Sequence, residues 1–149
     1  MFFALFDQQA ARAVETIQKG YDVLEGRVLT VEDLVTPFTI LGPEERTWFV
    51  ISSEFTLHAL RNPKAAAVLA AHDARVCELA RPAVRRLLEE AGVEPPRGVD
   101  HLVRLIVALR EGGLAQSLVE PGDLDHGELE RTYLPLLLRG FEATGAVIP

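Results

Sequence analysis

The sequence predicts an all-α domain built from about six helices. Apolar residues recur at spacings of three and four along most of the chain, whereas runs that alternate polar and apolar residues are missing. Glycine and proline interrupt this pattern at intervals typical of helix ends. A chain of 149 residues is the usual size of one domain, and no repeat, low-complexity tract or linker divides it. We therefore expect a single domain over residues 1–149.

The first two helices are predicted from apolar spacing and from one cap. Residues 1 to about 19 carry a broad apolar face, and Gly20 is expected to end this helix. Thr30, with Asp33 three residues later, resembles a capping box, in which side chains and backbone N–H groups pair at a helix start. This cap predicts a short second helix that runs through Leu41.

A sharp corner separates the third and fourth predicted helices. The sequence GPEE at residues 42–45 favours a helix start, since proline suits the first position and acids suit the first turn. This third helix is expected to end at Arg61. The dipeptide Asn62-Pro63 then stops it and begins a fourth helix, with asparagine as the cap and proline at the first position. The fourth helix continues until Gly92 stops it.

The last two helices follow a turn-rich stretch at residues 93–98. The fifth helix is predicted over residues 99–119, and a Pro-Gly dipeptide ends it shortly afterwards. Asp125 and Glu128 resemble a second capping box, which opens a final helix that runs to about residue 143.

Composition excludes several classes of protein. The net charge of −7 argues against nucleic-acid binding by this chain alone, because neutralising phosphates requires clustered Lys and Arg. The lone Cys77 cannot form an internal disulfide, which favours a reducing compartment. The opening MFFALF resembles the start of a signal peptide, but Asp7 ends the run and no basic residue precedes it. No run approaches the ~20 apolar residues of a membrane-spanning helix. We expect a cytoplasmic protein without a membrane partner.

Residue patterns typical of catalysis or metal binding are missing. The histidines lie on different predicted helices or at helix ends, and none has a second His or Cys at ligand spacing: His58, His72, His101 and His126. Ser52 and Ser53 lack the strand and turn that surround a nucleophilic serine. We predict no metal, no cofactor and no enzymatic activity. A small helical-bundle enzyme is therefore the least favoured hypothesis for this chain.

The third helix is apolar on both sides, which predicts a central, buried position. It also carries polar side chains, and each one left unsatisfied in a core costs roughly 1–3 kcal/mol. We therefore expect these groups to have partners or to contact a ligand: Ser52, Ser53, Glu54, Thr56 and His58.

The last two helices carry more apolar surface than one core can cover. Apolar residues fill one side of the final helix, and Leu134 and Leu138 extend beyond that stripe. Glycines inside the fifth helix cost about 1 kcal/mol each relative to alanine, so a close approach of another segment is expected there. These features predict a self-complementary interface. Its candidate residues are Gly112, Gly113, Leu129, Tyr133, Leu136, Leu137 and Phe141.

Three segments, in order, resemble one protein family. EFTLHALRNPKAAAVL, LVRLIVALREGGLAQSLVEPGDLD and TYLPLLLRGFEA are similar to helices of the C-terminal domain of TetR (tetracycline-repressor) family transcription regulators. The opening FFALFDQQAARAV resembles the helix that follows the helix-turn-helix in that family. The three-helix DNA-binding region of the family has no counterpart in this sequence. We therefore expect an effector domain alone, as a piece of a longer regulator or a natural fragment.

The resemblance implies a homodimer, a small-molecule effector and contact with DNA only through the missing N-terminal region. It implies a four-helix bundle formed by the last two helices of two copies, and a largely apolar ligand cavity. Candidate cavity residues are Phe38, Trp48, Ser52, Phe55, His58, Val76 and Ile106. Pro37 and Pro82 would open the cavity by bending helices. The alternative hypothesis is an interaction module with a filled core, in which these residues bind no ligand.

Overall fold

The computed structural model describes residues 2–23, 26, 30–36 and 44–143. These residues contain helices and no strand, so the predicted all-α class is confirmed. None of the helices in the described ranges is long and apolar enough to cross a membrane. The described residues form six helices: α1 (Phe2–Asp22), α2 (Val31–Val35), α3 (Glu45–Ala59), α4 (Pro63–Ala91), α5 (Val99–Val119) and α6 (Glu128–Ala143).

Two predicted helix ends are wrong by two or three residues. Gly20 does not end α1, which continues to Asp22, because glycine costs only about 1 kcal/mol in a helix interior. The α3 helix ends at Ala59 rather than at Arg61, and the Arg61 N–H donates instead to the His58 carbonyl at 3.1 Å. The predicted extension of the second helix to Leu41 falls outside the described residues, as does Pro37.

The predicted caps at the starts of α2 and α4 are confirmed. The Thr30 hydroxyl accepts from the Asp33 N–H at 3.3 Å, and the Asp33 carboxylate accepts from the Thr30 N–H at 2.8 Å. The side-chain oxygen Oδ1 of Asn62 accepts from the N–H groups of the second and third residues of α4, at 3.1 and 3.3 Å. Gly92 ends α4 with φ +67°, a left-handed conformation that favours glycine.

The cap of α6 forms by a different pairing from the one predicted. The Glu128 carboxylate accepts from the Asp125 N–H at 3.0 Å, as a capping box requires. The second bond uses the backbone of Asp125: the Glu128 N–H donates to the Asp125 carbonyl oxygen at 3.1 Å. The helix therefore begins at Glu128, after Gly127 turns the chain with φ +72°.

The hydrophobic core lies between α2, α4, α5 and α6. The longest helix, α4, packs against α1, α2, α3 and α5, and α6 packs against α2 and α5. Pro82 lies inside α4, which continues on both sides of it. The core cluster of buried residues is Val31, Val35, Cys77, Ala80, Val84, Leu87, Leu88, Val93, Leu102, Val103, Ile106, Leu134 and Leu138.

The predicted central position of α3 is wrong. One side of α3 packs against α4 and, less extensively, against α5, while Val50, Leu57 and Leu60 are exposed. Ala59 is the buried residue of this helix. A helix with apolar residues on both sides has no sequence signal that says which side finds a neighbour, and only one side does so among the described elements.

Asn62→Ala should lower the free energy of unfolding by about 1 kcal/mol, because two N–H groups at the start of α4 lose their acceptor. Urea unfolding followed by circular dichroism measures this change. Asn62→Asp keeps an acceptor oxygen and should unfold as the parent does. Equal stability of the alanine variant and the parent would show that the cap contributes nothing.

Candidate functional site

The hydroxyl groups of Ser52, Ser53 and Thr56 on α3 donate to backbone carbonyls of the same helix. Ser52 and Ser53 both donate to the Phe49 carbonyl oxygen, at 3.0 and 2.7 Å, and Thr56 donates to the Ser52 carbonyl at 2.9 Å. Such bonds to residues three or four positions earlier are a usual solution for hydroxyl side chains inside a helix. For these three residues the expected need for partners is therefore met locally, and their hydroxyl groups do not in themselves require a ligand.

Trp48 and Phe55 share one side of α3 with the buried Ala59. Trp48, Ser52 and Phe55 follow one another at spacings of four and three, and all three are half-buried. The rings of Phe55 and His58 lie 6.2 Å apart between centroids, tilted by 42°, and His58 is exposed. One side of α3 thus carries two half-buried aromatic side chains, with an exposed imidazole next to one of them.

The remaining candidate cavity residues belong to the two helices on which α3 packs. Val76 is half-buried on α4, and Ile106 is buried on α5 as a member of the core cluster. Phe38 falls outside the described residues. The structure thus places the described candidates on three helices that pack together, with Ile106 inside the core.

Sequence reasoning missed an ion pair that joins α3 to α5. Glu45, the first residue of α3, contacts the Arg110 guanidinium, and their side chains are only 15% and 25% exposed. In the sequence, the acids at residues 44–45 indicate only favourable charges at a helix start. The position of Glu45 three residues before Trp48, on the packed side of α3, is the signal that could have identified it.

Carboxylates along the α4–α5 contact have shifted pKa values. Burial raises the pKa of Asp73 on α4, and the charges of His72 and Arg104 oppose that shift. Burial also raises the pKa of Glu111 on α5, and the nearby charge of Asp73 raises it further. The charge of Asp73 on α4 therefore disfavours the ionised form of Glu111 on α5.

A bidentate ion pair also joins α4 to α5. The Arg81 guanidinium donates from Nε to Asp100 Oδ1 at 2.6 Å and from Nη2 to Oδ2 at 3.0 Å. This hydrogen bonding lowers the pKa of Asp100. The pairing holds the two helices in register, and it occupies an arginine that could otherwise contact an anionic ligand.

The outer side of α6 carries exposed apolar residues. Tyr133 is 52% exposed, Leu136 57% and Leu137 41%, whereas Leu134 and Leu138 on the inner side are buried. Of the other predicted interface residues, Leu129 and Gly112 are half-buried, and Phe141 packs against the core of its own chain. We call Leu105, Tyr133, Leu136 and Leu137 the outer apolar surface, since all four are exposed on α5 and α6.

The close approach predicted at the glycines of α5 occurs at Gly113 and within one chain. A Cβ atom on Gly113 would lie 3.2 Å from Oε2 of Glu130, tighter than usual packing allows, whereas Gly112 has open space around it. Glu130 is 1% exposed, and neither of its carboxylate oxygens has a hydrogen-bond partner among the described residues. Both ring nitrogens of His126 are buried and lack partners there too. The α5–α6 contact therefore contains a buried carboxylate that sequence reasoning missed.

The family model for the C-terminal domain of BetI-type transcriptional repressors matches residues 30–139. The chain belongs to this family. No curated protein and no solved structure matches it significantly. The match extends from the cap of α2 to the last turns of α6, so it includes every helix of the core.

Membership in the BetI-type family confirms several predictions made from the sequence. It confirms the C-terminal domain of a TetR-family regulator, and it confirms that the chain is not an enzyme, because such domains are non-enzymatic. The small-enzyme hypothesis is thereby rejected. Regulators of this family are typically homodimers that bind small-molecule effectors and DNA, and the C-terminal domain serves effector binding and dimerisation.

Replacing Glu130 of this BetI-type domain by methionine should raise the free energy of unfolding by about 1–3 kcal/mol. The substitution keeps a similar volume and removes a buried carboxylate that has no partner. Urea unfolding at one fixed protein concentration measures this free energy. Glu89→Met, at an exposed position, is the control, and its free energy of unfolding should change by less than about 0.5 kcal/mol. A less stable Glu130→Met protein would mean that the carboxylate contributes favourable interactions.

Proposed function

We propose that this BetI-type domain, residues 1–149, is a homodimeric sensor of a small, largely apolar molecule. Binding of that molecule would favour a state of the dimer that releases DNA from the helix-turn-helix region of the regulator. The observation that carries this proposal is the outer apolar surface on α5 and α6, in a family whose members typically act as dimers.

Dimerisation through α5 and α6 is supported by the division of α6 into two apolar sides. Leu134 and Leu138 face the core of the chain, so Leu136 and Leu137 are left for another partner. Monomeric soluble proteins rarely leave contiguous apolar patches exposed. A second copy offers the same surface across a two-fold axis and covers both at once. The four helices would then form a bundle.

Effector binding is supported by the half-buried aromatic side of α3. Trp48 and Phe55 are large and only partly covered, and the helix that carries them packs against α4 and α5. In the proposed site they form an apolar wall with Val76 and Ile106, while Ser52 and His58 supply polar groups near it. Small-molecule sites usually combine such a wall with a few polar atoms. Phe38 stays a proposed member of this site.

The burial of Ile106 and the hydrogen bonds of the Ser52 and Thr56 hydroxyl groups favour an alternative function. Ile106 is part of the filled core, and the hydroxyl groups of Ser52 and Thr56 already donate to backbone carbonyls. A domain of this kind could associate through the outer apolar surface without binding a ligand. Ligand screening separates the two functions, because only the sensor gains stability from a small molecule.

Leu137→Glu should convert the dimer to a monomer. We expect the parent interface to bury at least the standard ~1,600 Å² in total, and an unpaired charge at its centre costs several kcal/mol. Sedimentation at micromolar concentration measures the change. Leu79→Glu, at an exposed leucine on α4, is the matched control and should remain dimeric. A monomeric parent, or a Leu137→Glu dimer with an unchanged Kd, would reject the interface.

Phe55→Ala should weaken effector binding by at least about tenfold, a loss of ~1.4 kcal/mol that is modest for an aromatic wall residue. A panel of small apolar compounds is first screened for raised Tm, since a ligand at 100 times its Kd adds about 2.7 kcal/mol. Trp48, the only tryptophan, reports binding by fluorescence.

Leu60→Ala is the matched control for this site, because Leu60 is an exposed leucine at the end of the same helix. It should leave the Kd unchanged. Equal effects of the two alanine variants, or a panel in which no compound raises Tm, would contradict the proposed site and favour the interaction module.

A further inference from the structure

The α3 helix begins with two adjacent acids that pair with arginines from two different helices. Glu44, its N-cap, accepts from Arg12 of α1, with Nη1 and Oε2 3.3 Å apart. Glu45, the next residue, contacts Arg110 of α5. Arg12 and Arg110 are far apart in sequence, so the start of α3 joins two helices that are otherwise distant along the chain.

The two ion pairs differ in their exposure to solvent. The side chains of Glu45 and Arg110 are mostly buried, whereas those of Arg12 and Glu44 are 52% and 71% exposed. Partial burial strengthens the attraction in the first pair, because water screens it less. The exposed pair is weaker and should respond to changes at the helix start.

The buried pair lies beside residues proposed to bind the effector. Glu45 precedes Trp48 by three residues on the packed side of α3, and Arg110 follows Ile106 by one turn on α5. A molecule that enters between α3 and α5 must change the separation of these helices or the pairing at their contact. Binding of a molecule between α3 and α5 would therefore alter the Glu45–Arg110 pair first.

We propose that Arg12, Glu44, Glu45 and Arg110 couple α1 to α5, and we call these four residues the Glu44–Glu45 relay. The two acids are consecutive, so the start of α3 cannot shift at one pair without moving the other. Its use in signalling rests on the proposed function, since α1 resembles the helix that follows the DNA-binding region. The coupling itself needs no ligand and can be measured in the free protein.

Hydrogen exchange of the full 149-residue chain, followed by mass spectrometry, tests the relay. Arg110→Met removes the guanidinium that pairs with Glu45 and keeps most of the apolar stem of the side chain. Amides of α1 should then exchange roughly two- to fivefold faster, the effect expected from weakening an exposed ion pair. Arg110 lies on α5, so a change in α1 must be transmitted through the structure. Amides of α6 serve as the internal reference for global stability.

The double variant Arg12→Gln/Arg110→Met decides whether the change travels through the relay. In the Arg12→Gln protein, the Arg110 substitution should no longer accelerate exchange in α1, because the second pair is already broken. Arg86→Met, which breaks the exposed Arg86–Glu90 pair within α4, is the control and should leave α1 unchanged.

Two results would overturn the relay: α1 exchange that is unaffected by Arg110→Met, or an equal acceleration with and without Arg12. If Arg110→Met accelerates exchange throughout α6, Arg110→Lys replaces it, since lysine keeps the charge but loses the planar fork of donors. With lysine, α1 should show a smaller acceleration, and none at all would count against the relay. Failure of effector binding or of dimerisation would leave these exchange results unchanged, so the two proposals fail separately.

Discussion

The packing of α4 against four other helices is the constraint on which the rest of the structure depends. Its inner side carries Val84, Leu87 and Leu88, which join residues of α5 in the core. The α1, α2 and α3 helices also pack on it, so its position sets the spacing between α3 and α5. Asn62 and Gly92 fix where α4 begins and ends, and the proposed effector site lies on the surface that results.

The helix caps were predictable from the sequence, whereas the burial of whole helices was not. The caps at Thr30 and Asn62 need only residues within three positions of each other, so the sequence contains all the information for them. The position of α3 depends on which other helices reach it. Its apolar residues at Leu57 and Leu60 look like core residues, yet the structure leaves them exposed.

The candidate site was predictable only in part, for a related reason. Residue type and helical spacing were sufficient to select Trp48 and Phe55, which the structure places half-buried on one side of α3. The Glu45–Arg110 pair joins residues 65 positions apart, and no local pattern pairs them. The approach expected at Gly113 is real, but Glu130 of the same chain makes it. Sequence spacing predicts a close approach at a small residue, but it does not identify the residue that approaches.

The proposed effector site and the proposed dimerisation surface share α5, and this has a thermodynamic consequence. Arg110 faces α3 from α5, while Leu105 on the same helix belongs to the outer apolar surface. Helices are stiff and packed cores shift between discrete arrangements, so α5 cannot move at one contact without altering the other. Coupling free energy is reciprocal: an effector that changes the affinity of the two copies must bind monomer and dimer with affinities that differ by the same factor. If the proposed function holds, effector binding and dimerisation are therefore two linked equilibria that share one coupling free energy.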